Sequence, residues 1–122
     1  MKTGNVILEK TYAFALKIII LYKMLAYEKN EYVIARQILR CGTSIGANIE
    51  EGIGGQSKRD FISKLSISYK EARETKYWLR LLRDSRFIDE NIANNYINDC
   101  DEILKILCSI LNTTKSQLRI KN

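Results

Sequence analysis

From Gly46 to Phe61 the chain reads GANIEEGIGGQSKRDF, which contains four of its six glycines, a Glu-Glu pair and a Lys-Arg pair. A glycine-rich loop could cradle a phosphate, but that chemistry needs Gly-Lys-Ser/Thr between a strand and a helix. Here the order is Gly-Gly-Gln-Ser-Lys, and a helical pattern precedes it. The stretch is therefore predicted to be a turn, in which Gly52, Gly54 and Gly55 adopt positive φ and end one helix, and Ser57 caps the next. The alternative is a phosphate at that next helix N-terminus, beside Lys58 and Arg59.

Two glutamates in the middle of the chain, Glu71 and Glu74, are spaced i, i+3 and face one way on a helix. With the Glu50–Glu51 pair they could bridge a metal ion, but such sites in helical bundles also use histidine, and the chain has none. The favoured interpretation is structural, with either glutamate paired with Arg36, Arg40 or a helix end. Without histidine there is no Ser-His or Cys-His nucleophile pair. A protein that is not an enzyme is predicted, with no metal or cofactor, and metal-dependent chemistry is the third hypothesis.

Basic side chains are concentrated on one stripe of the third predicted helix and in the C-terminal tail. The stripe lies opposite an apolar seam and consists of Lys70, Arg73, Lys76, Tyr77, Arg80 and Arg83. The tail adds Lys115, Arg119 and Lys121, and no acidic residue follows Glu102. Cations that contact phosphates, with a tyrosine on which a base can stack, are typical of nucleic-acid binding. The predicted nucleic-acid-binding site consists of the six stripe residues with Lys115 and Arg119 of the tail. The alternative is a solvated face that Glu74 and Asp84 partly neutralise.

The composition agrees with a helical protein that has an anionic partner. The chain of 122 residues has the size of one domain, and it contains no proline that would break a helix. A single all-α domain over residues 1–122 is therefore predicted. Twenty Lys and Arg against fourteen Asp and Glu give a formal charge of +6, which favours RNA or DNA as the partner.

The cysteines and the hydropathy predict a cytoplasmic location without membrane contact. Cys100 and Cys108 would lie about 12 Å apart on one helix, which is too far for a disulfide. Together with the odd count of three cysteines, this indicates buried thiols in a reducing compartment. The most apolar run, Tyr12 to Tyr27, is too short to span a membrane and contains two lysines, and no signal-peptide pattern precedes it.

Hydrophobic periodicity predicts four helices, at about residues 6–28, 31–51, 58–84 and 89–112, with a frayed basic tail at 113–122. Short turns between them favour an antiparallel up-down-up-down bundle. The strongest pattern is the heptad seam of the third helix, which consists of Phe61, Leu65, Ser68, Ala72, Thr75, Leu79 and Leu82. The predicted core face of the second helix is Ile34, Ile38, Cys41, Ile45 and Ile49. That of the fourth helix is Ile92, Tyr96, Cys100, Ile103, Leu107 and Ile110.

The first predicted helix is apolar around well over half of its circumference. The stripe assigned to the core is Leu8, Tyr12, Ala15, Ile19, Tyr22 and Ala26. A second apolar set is Ala13, Leu16, Ile20 and Tyr27. A bundle of four helices has no central helix, so the second set is predicted to lie between subunits and to cause self-association.

Local signals mark the helix ends and one close contact. Asn30 is predicted to cap the second helix and Asp89 the fourth, while Ser57 and Asp60 have the spacing of a capping box. Gly42 and Gly46 lie one turn apart inside the second helix, where glycine is unfavourable. The pair predicts the close approach of another helix backbone, and a chance pair is the alternative.

The stretch from Arg40 to Leu82 resembles the four-helix-bundle proteins encoded in intervening sequences of bacterial 23S ribosomal RNA genes. The family hallmarks are Ser-Ile-Gly-Ala-Asn-Ile-Glu-Glu, then Ser-x-x-Asp-Phe, then Lys-Glu-Ala-x-Glu-Thr-x-Tyr-Trp-Leu. They are matched here by residues 44–51, 57–61 and 70–79. The pattern covers about a third of the chain. The flanking helices resemble those of the family in general character, but not in specific motifs.

The resemblance implies an antiparallel four-helix bundle that assembles into a ring, typically a pentamer. A related accessory protein of diversity-generating retroelements is a basic barrel that binds nucleic acid and a reverse transcriptase. The resemblance accounts for the apolar first helix as part of a subunit interface. The predicted function is a non-catalytic, oligomeric module that binds RNA or DNA with little sequence specificity. The runner-up is a scaffold whose ring recruits a partner protein and whose charge serves solubility or steering.

Overall fold

The computed structural model describes residues 2–121, with side chains described within residues 6–119. The described residues form four α-helices and no strand: α1 Lys2–Lys23, α2 Val33–Ile53, α3 Lys58–Asp84 and α4 Glu90–Lys121. A π-helical turn, Met24–Glu28, extends α1. The predicted all-α class and the four helices are confirmed.

The core faces predicted for α2 and α3 are confirmed. The fully buried residues among the predicted α2 face are Ile38, Cys41, Ile45 and Ile49, and Ile34 is half-buried against the core. Every predicted seam residue of α3 is buried except Phe61, which packs on the core from its edge. Within the seam, the Ser68 hydroxyl donates to the Ile45 carbonyl oxygen at 2.8 Å. A small hydroxyl residue therefore lets α3 lie close to α2 and leaves no unsatisfied polar group there.

The core face predicted for α1 is wrong, because the helix is rotated relative to the prediction. The residues of α1 that enter the core are Ile7, Thr11, Phe14, Ile18 and Leu21, followed by Leu25 in the π-helical turn. In the predicted stripe Tyr12 and Ile19 are exposed, and only Ala26 is fully buried. When a helix is apolar on most sides, hydrophobic periodicity does not distinguish the face that enters the core from the others. The rotation is set instead by the surface of α2.

Gly42 and Gly46 form that surface, and the predicted close approach of another helix is confirmed. A Cβ atom at Gly42 would lie 2.8 Å from Ile18 Cγ1. A Cβ atom at Gly46 would lie 3.1 Å from Thr11 Oγ1 and 3.5 Å from the backbone carbonyl carbon of Thr11. The missing side chains therefore make room for α1, and they select Thr11 and Ile18 as its inward residues.

The caps predicted for α3 and α4 are confirmed. Ser57 Oγ accepts a hydrogen bond from the Asp60 backbone N–H at 3.1 Å. Asp89 Oδ1 accepts one from the Asn91 backbone N–H at 2.8 Å. Each side chain satisfies a donor that the first helical turn leaves without an intrahelical acceptor. The two helices therefore begin at residues 58 and 90, as their capping residues specify.

The cap predicted for α2 is wrong. Asn30 adopts the left-handed conformation, with φ of 55°, and serves the turn that follows the π-helical segment. The carboxylate of Glu31 takes the capping role, because its Oε1 accepts the Ile34 backbone N–H at 2.5 Å. Asparagine tolerates positive φ better than most residues, and a carboxylate at a helix N-terminus also interacts favourably with the helix dipole.

Two predictions for α4 are corrected. The helix does not fray at 113 but continues to Lys121, because Leu111 and Thr114 extend the buried face and Leu118 is partly buried one turn further. Near its start Ile92 is exposed, and the neighbouring Ala93 is buried in its place. The remaining predicted face, from Tyr96 to Ile110, is buried as expected.

Candidate nucleic-acid interface

Four residues of the predicted basic stripe line one groove between α3 and α4. The groove has a volume of about 380 Å³ and is lined by Tyr69, Arg73, Lys76, Tyr77 and Arg80 of α3 and by Leu104 of α4. Within residues 6–119, neither Arg73 nor Arg80 forms an ion pair, and both are exposed. Lys76 Nζ lies 2.7 Å from Asp101 Oδ1, so its charge is largely compensated. The two arginines therefore supply the groove with net positive charge.

Tyr77 is held in the groove by a network that reaches α2. Its ring packs edge to face on the Trp78 ring, with the centroids 5.5 Å apart and an interplanar angle of 67°. Trp78 Nε1 donates to Glu74 Oε2 at 2.9 Å. Arg40 of α2 pairs with the same carboxylate oxygen, and with Glu71 Oε2 at 3.1 Å. Tyr77 nevertheless remains 52% exposed, so its ring is oriented and accessible at once.

Lys70 and Arg83, also in the predicted site, do not line the groove. Lys70 is exposed on α3. Arg83 Nε donates to Asp84 Oδ1 at 2.8 Å, and its Nη1 donates to Asn94 Oδ1 at 3.0 Å. The hydrogen bond from Arg83 is the main cause that lowers the pKa of the Asp84 carboxyl. Arg83 thus connects the C-terminal end of α3 to α4, and these hydrogen bonds give it a structural role.

The basic residues at the end of α4 extend the same side of the molecule. Lys115 and Arg119 are exposed, and they follow Leu104 of the groove at helical spacing along α4. Lys121 lies outside the described side chains. Contact of any of these residues with nucleic acid stays a prediction.

The sequence reasoning missed two residues that line the groove, Tyr69 and Leu104. Tyr69 could have been found, because it precedes Arg73 by four residues and Tyr77 by eight and so shares their helix face. Leu104 carries no such signal. It belongs to another helix, and only the packing of α4 on α3 brings it to the groove.

The structural interpretation of Glu71 and Glu74 is confirmed, with Arg40 as their partner. Among the other acids considered as metal ligands, Glu51 pairs with Lys64, 3.0 Å from its Nζ. Within the described residues, no group of three His, Cys, Asp or Glu side chains is placed to hold a metal ion.

The buried thiols are poor nucleophiles. Burial raises the pKa of Cys41 to about 11 and that of Cys100 to about 12. The Cys100 thiol donates to the Ala72 carbonyl oxygen, with the sulfur 3.2 Å away. A thiol is reactive as the thiolate, and these two remain protonated near neutral pH. The prediction of buried thiols is wrong for the third cysteine, because Cys108 is exposed on α4.

The glycine-rich stretch forms the turn between α2 and α3, but the reason given for its glycines is wrong. No described glycine has a positive φ. A Cβ atom at Gly52 would lie 3.0 Å from Lys64 Cβ, and one at Gly55 would lie 3.0 Å from the Gly52 carbonyl oxygen. A Cβ atom at Gly54 would approach nothing closer than 3.6 Å. Gly52 and Gly55 therefore permit close packing, and Gly54 has room for a side chain.

Replacement of these glycines by alanine separates the packing role from nucleotide binding. Gly52→Ala is expected to destabilise the protein by about 1–2 kcal/mol, as overpacking does, and to lower the melting temperature by about 3–8 °C. Gly54→Ala, the matched control, should change the melting temperature by less than about 2 °C. Neither protein, nor the wild type, should bind ATP or GTP. Saturable binding at micromolar nucleotide in a calorimetric titration would contradict the assignment of this stretch as a turn.

A second surface feature is an exposed apolar face on α1 and the π-helical turn, here called the α1 outer face. It consists of Tyr12, Leu16, Ile19, Ile20 and Tyr27, of which Ile20 and Tyr27 are 65% and 73% exposed. Two cavities border it. One of about 760 Å³ extends from Leu8 to Ile53 of α2, and one of about 510 Å³ extends from Ile20 to Ile92 of α4. Large contiguous apolar surfaces of this kind mark interaction sites.

The fold and its surfaces define a small all-α protein with a basic groove on one side and an apolar outer face on another. The sequence profile of the 23S rRNA-intervening sequence protein family matches residues 4–109, and the chain belongs to that family. The crystal structure of a protein of unknown function from the S23 ribosomal protein family of Bacteroides thetaiotaomicron is similar, with 48% sequence identity and a TM-score of 0.89. The match covers 90% of this chain and 98% of that one. No curated protein matches the chain.

None of the described helices is both long enough and apolar enough to cross a bilayer. The apolar surface of α1 is interrupted by Lys17, whose ammonium donates to Asn95 at 2.6 Å and lies 4.7 Å from the centre of the Tyr96 ring.

Proposed function

We propose that the protein is a non-catalytic, oligomeric module that binds RNA or DNA through the groove between α3 and α4. The observation that carries the proposal is the pair Arg73 and Arg80, two exposed guanidinium groups without an ion pair in the described structure, on either side of the exposed Tyr77 ring. Guanidinium groups bind phosphate through parallel hydrogen bonds, and such contacts depend little on base sequence. The family description connects these proteins with intervening sequences of 23S rRNA, so structured RNA is the first ligand to test.

The helices, in this proposal, form an antiparallel bundle that assembles into a ring, with a pentamer favoured. Contacts between α1 and α4 support opposite directions, since Lys10 pairs with Glu102 and Lys17 with Asp99. The α1 outer face supports assembly, because it is apolar and exposed in the single chain. A ring repeats the groove on every subunit, so weak contacts add up when one nucleic acid spans several subunits.

The test is the salt dependence of binding. Each neutralised phosphate releases condensed counterion, so log affinity falls by about 0.7 to 0.9 per contact for each unit of log salt. The double variant Arg73→Ala with Arg80→Ala should weaken binding to structured RNA and to DNA alike. It should also flatten the slope by about 1.4 to 1.8 per subunit in contact, with helicity and mass unchanged. Filter binding at several salt concentrations measures both quantities.

The matched control removes two exposed cations that lie outside α3 and α4, Lys29→Ala with Arg36→Ala. It should keep at least half of the wild-type affinity. An equal loss in both double variants would show that net charge, and not the groove, causes binding. If wild type binds neither RNA nor DNA at low salt, the second candidate function is favoured. In that function the ring recruits a partner protein. The specific observation that favours this second candidate is the α1 outer face.

A further inference from the structure

We propose that the groove between α3 and α4 selects single-stranded over double-stranded nucleic acid, because it takes an unpaired base onto the Tyr77 ring. This inference rests on the proposed function and adds the class of ligand. The groove is lined by two tyrosines of α3, Tyr69 and Tyr77, and by Leu104 of α4. Duplex nucleic acid presents phosphates and groove edges to a protein, whereas only an unstacked base presents a flat face to an aromatic ring.

The spacing along α3 fits one nucleotide step over the ring. Arg73 precedes Tyr77 by four residues and Arg80 follows it by three, so the two guanidinium groups lie about one turn to either side. A strand that runs along the groove can contact an arginine with its phosphates before and after the stacked base. Tyr69, which is half-buried against the core, lies about 12 Å from Tyr77 along the helix axis, beyond Arg73.

The Tyr77 ring is also preorganised, which lowers the entropy that binding loses. The ring contacts Trp78, Trp78 donates to Glu74, and Glu74 pairs with Arg40 of the neighbouring helix. A solvated tyrosine without such a network would have to be ordered by the ligand. Tyr32, which is 46% exposed and precedes α2, contacts no second ring among residues 6–119 and serves as the matched control.

The groove also lies away from the α1 outer face. α1 packs on α2 and α4, and α3 packs on the same two helices from the other side. A contact made by the α1 outer face of one chain therefore does not cover the Tyr77 ring of the same chain.

The experiment measures fluorescence anisotropy of labelled oligonucleotides, with oligo(dT) and oligo(rU) as single strands and with DNA and RNA duplexes of equal length. Wild type should bind single strands at least fivefold more tightly than duplexes at low salt. Tyr77→Leu, which keeps an apolar side chain but removes the ring, should lose about 5- to 150-fold in affinity for single strands. The affinity of Tyr77→Leu for duplexes should fall by less than twofold. Tyr77→Phe, which keeps the ring, should bind single strands as wild type does. Tyr32→Leu should also have the wild-type affinities. The chain has a single tryptophan, so quenching of Trp78 should saturate together with the anisotropy.

The outcomes separate the inference from the function on which it rests. A higher affinity for oligo(dT) or for oligo(rU) identifies the preferred single strand of the two, and either result supports the inference when the duplexes bind more weakly. Equal binding of single strands and duplexes overturns the inference but leaves the proposed function in place. A Tyr77→Leu variant that loses the same factor for both also overturns it. No binding of any oligonucleotide by wild type overturns both.

Discussion

Gly46→Leu is expected to destabilise the protein more than any other single substitution considered, by a net 2 kcal/mol or more as a rough figure. Leucine gains about 1 kcal/mol in helix propensity over glycine. Its side chain, however, has to occupy space in which even a Cβ atom would lie 3.1 Å from Thr11 Oγ1 and 3.5 Å from the Thr11 backbone. Because the obstacle includes main chain, α1 must move as a whole. The melting temperature should fall by about 6–10 °C or more.

The matched control is Ala47→Leu, at the next position of α2, where the side chain is exposed. It should leave the melting temperature within about 2 °C of wild type. Circular dichroism during thermal unfolding measures both variants. Light scattering should show in addition that Gly46→Leu weakens self-association, since the displaced helix carries the α1 outer face. A Gly46→Leu protein with unchanged melting temperature and mass would show that α1 does not depend on this close contact.

Leu16→Lys with Ile20→Lys is expected to prevent the proposed self-association, so that the variant remains a single chain of 14.1 kDa. Both side chains are exposed in the single chain, at 50% and 65%, so lysine does not disturb the core. In an interface the same positions would be buried, and an unpaired ammonium there is strongly unfavourable. Light scattering at micromolar concentration should therefore give a multiple of the chain mass for wild type and the chain mass for the variant. Helicity should be unchanged.

A second double variant, Gln56→Lys with Asn91→Lys, adds the same charge at exposed polar positions and should retain the wild-type mass. Dissociation of this control would attribute the effect to charge repulsion and not to the α1 outer face. A wild-type mass near 14.1 kDa would contradict obligate self-association itself. In that case the α1 outer face would remain available to a different protein.

The success of the sequence predictions differs from helix to helix, for a physical reason. In α3 polar residues separate the seam residues Leu65, Ala72 and Leu79, so only one face can enter a core, and that face was predicted correctly. In α1 apolar residues lie on nearly every side, and the predicted face was the wrong one. The α4 end was misjudged because polar residues hid the spacing of Leu111, Thr114 and Leu118. Tertiary burial of those residues extends the helix.

The sequence alone determined the properties that depend on neighbours along the chain: four helices, the caps at Ser57 and Asp89, the close contact at Gly46, and a stripe of cations with one tyrosine on α3. Only the tertiary structure decided the properties that depend on distant residues. It turned Thr11 toward Gly46 and thereby left the α1 outer face exposed. It also divided the basic stripe, because Asp101 and Asn94 of α4 engage Lys76 and Arg83, while Arg73 and Arg80 form no ion pair in the described structure. The physical reason is that the period of a helix specifies which residues share a face, whereas the partner of that face is set by packing between helices.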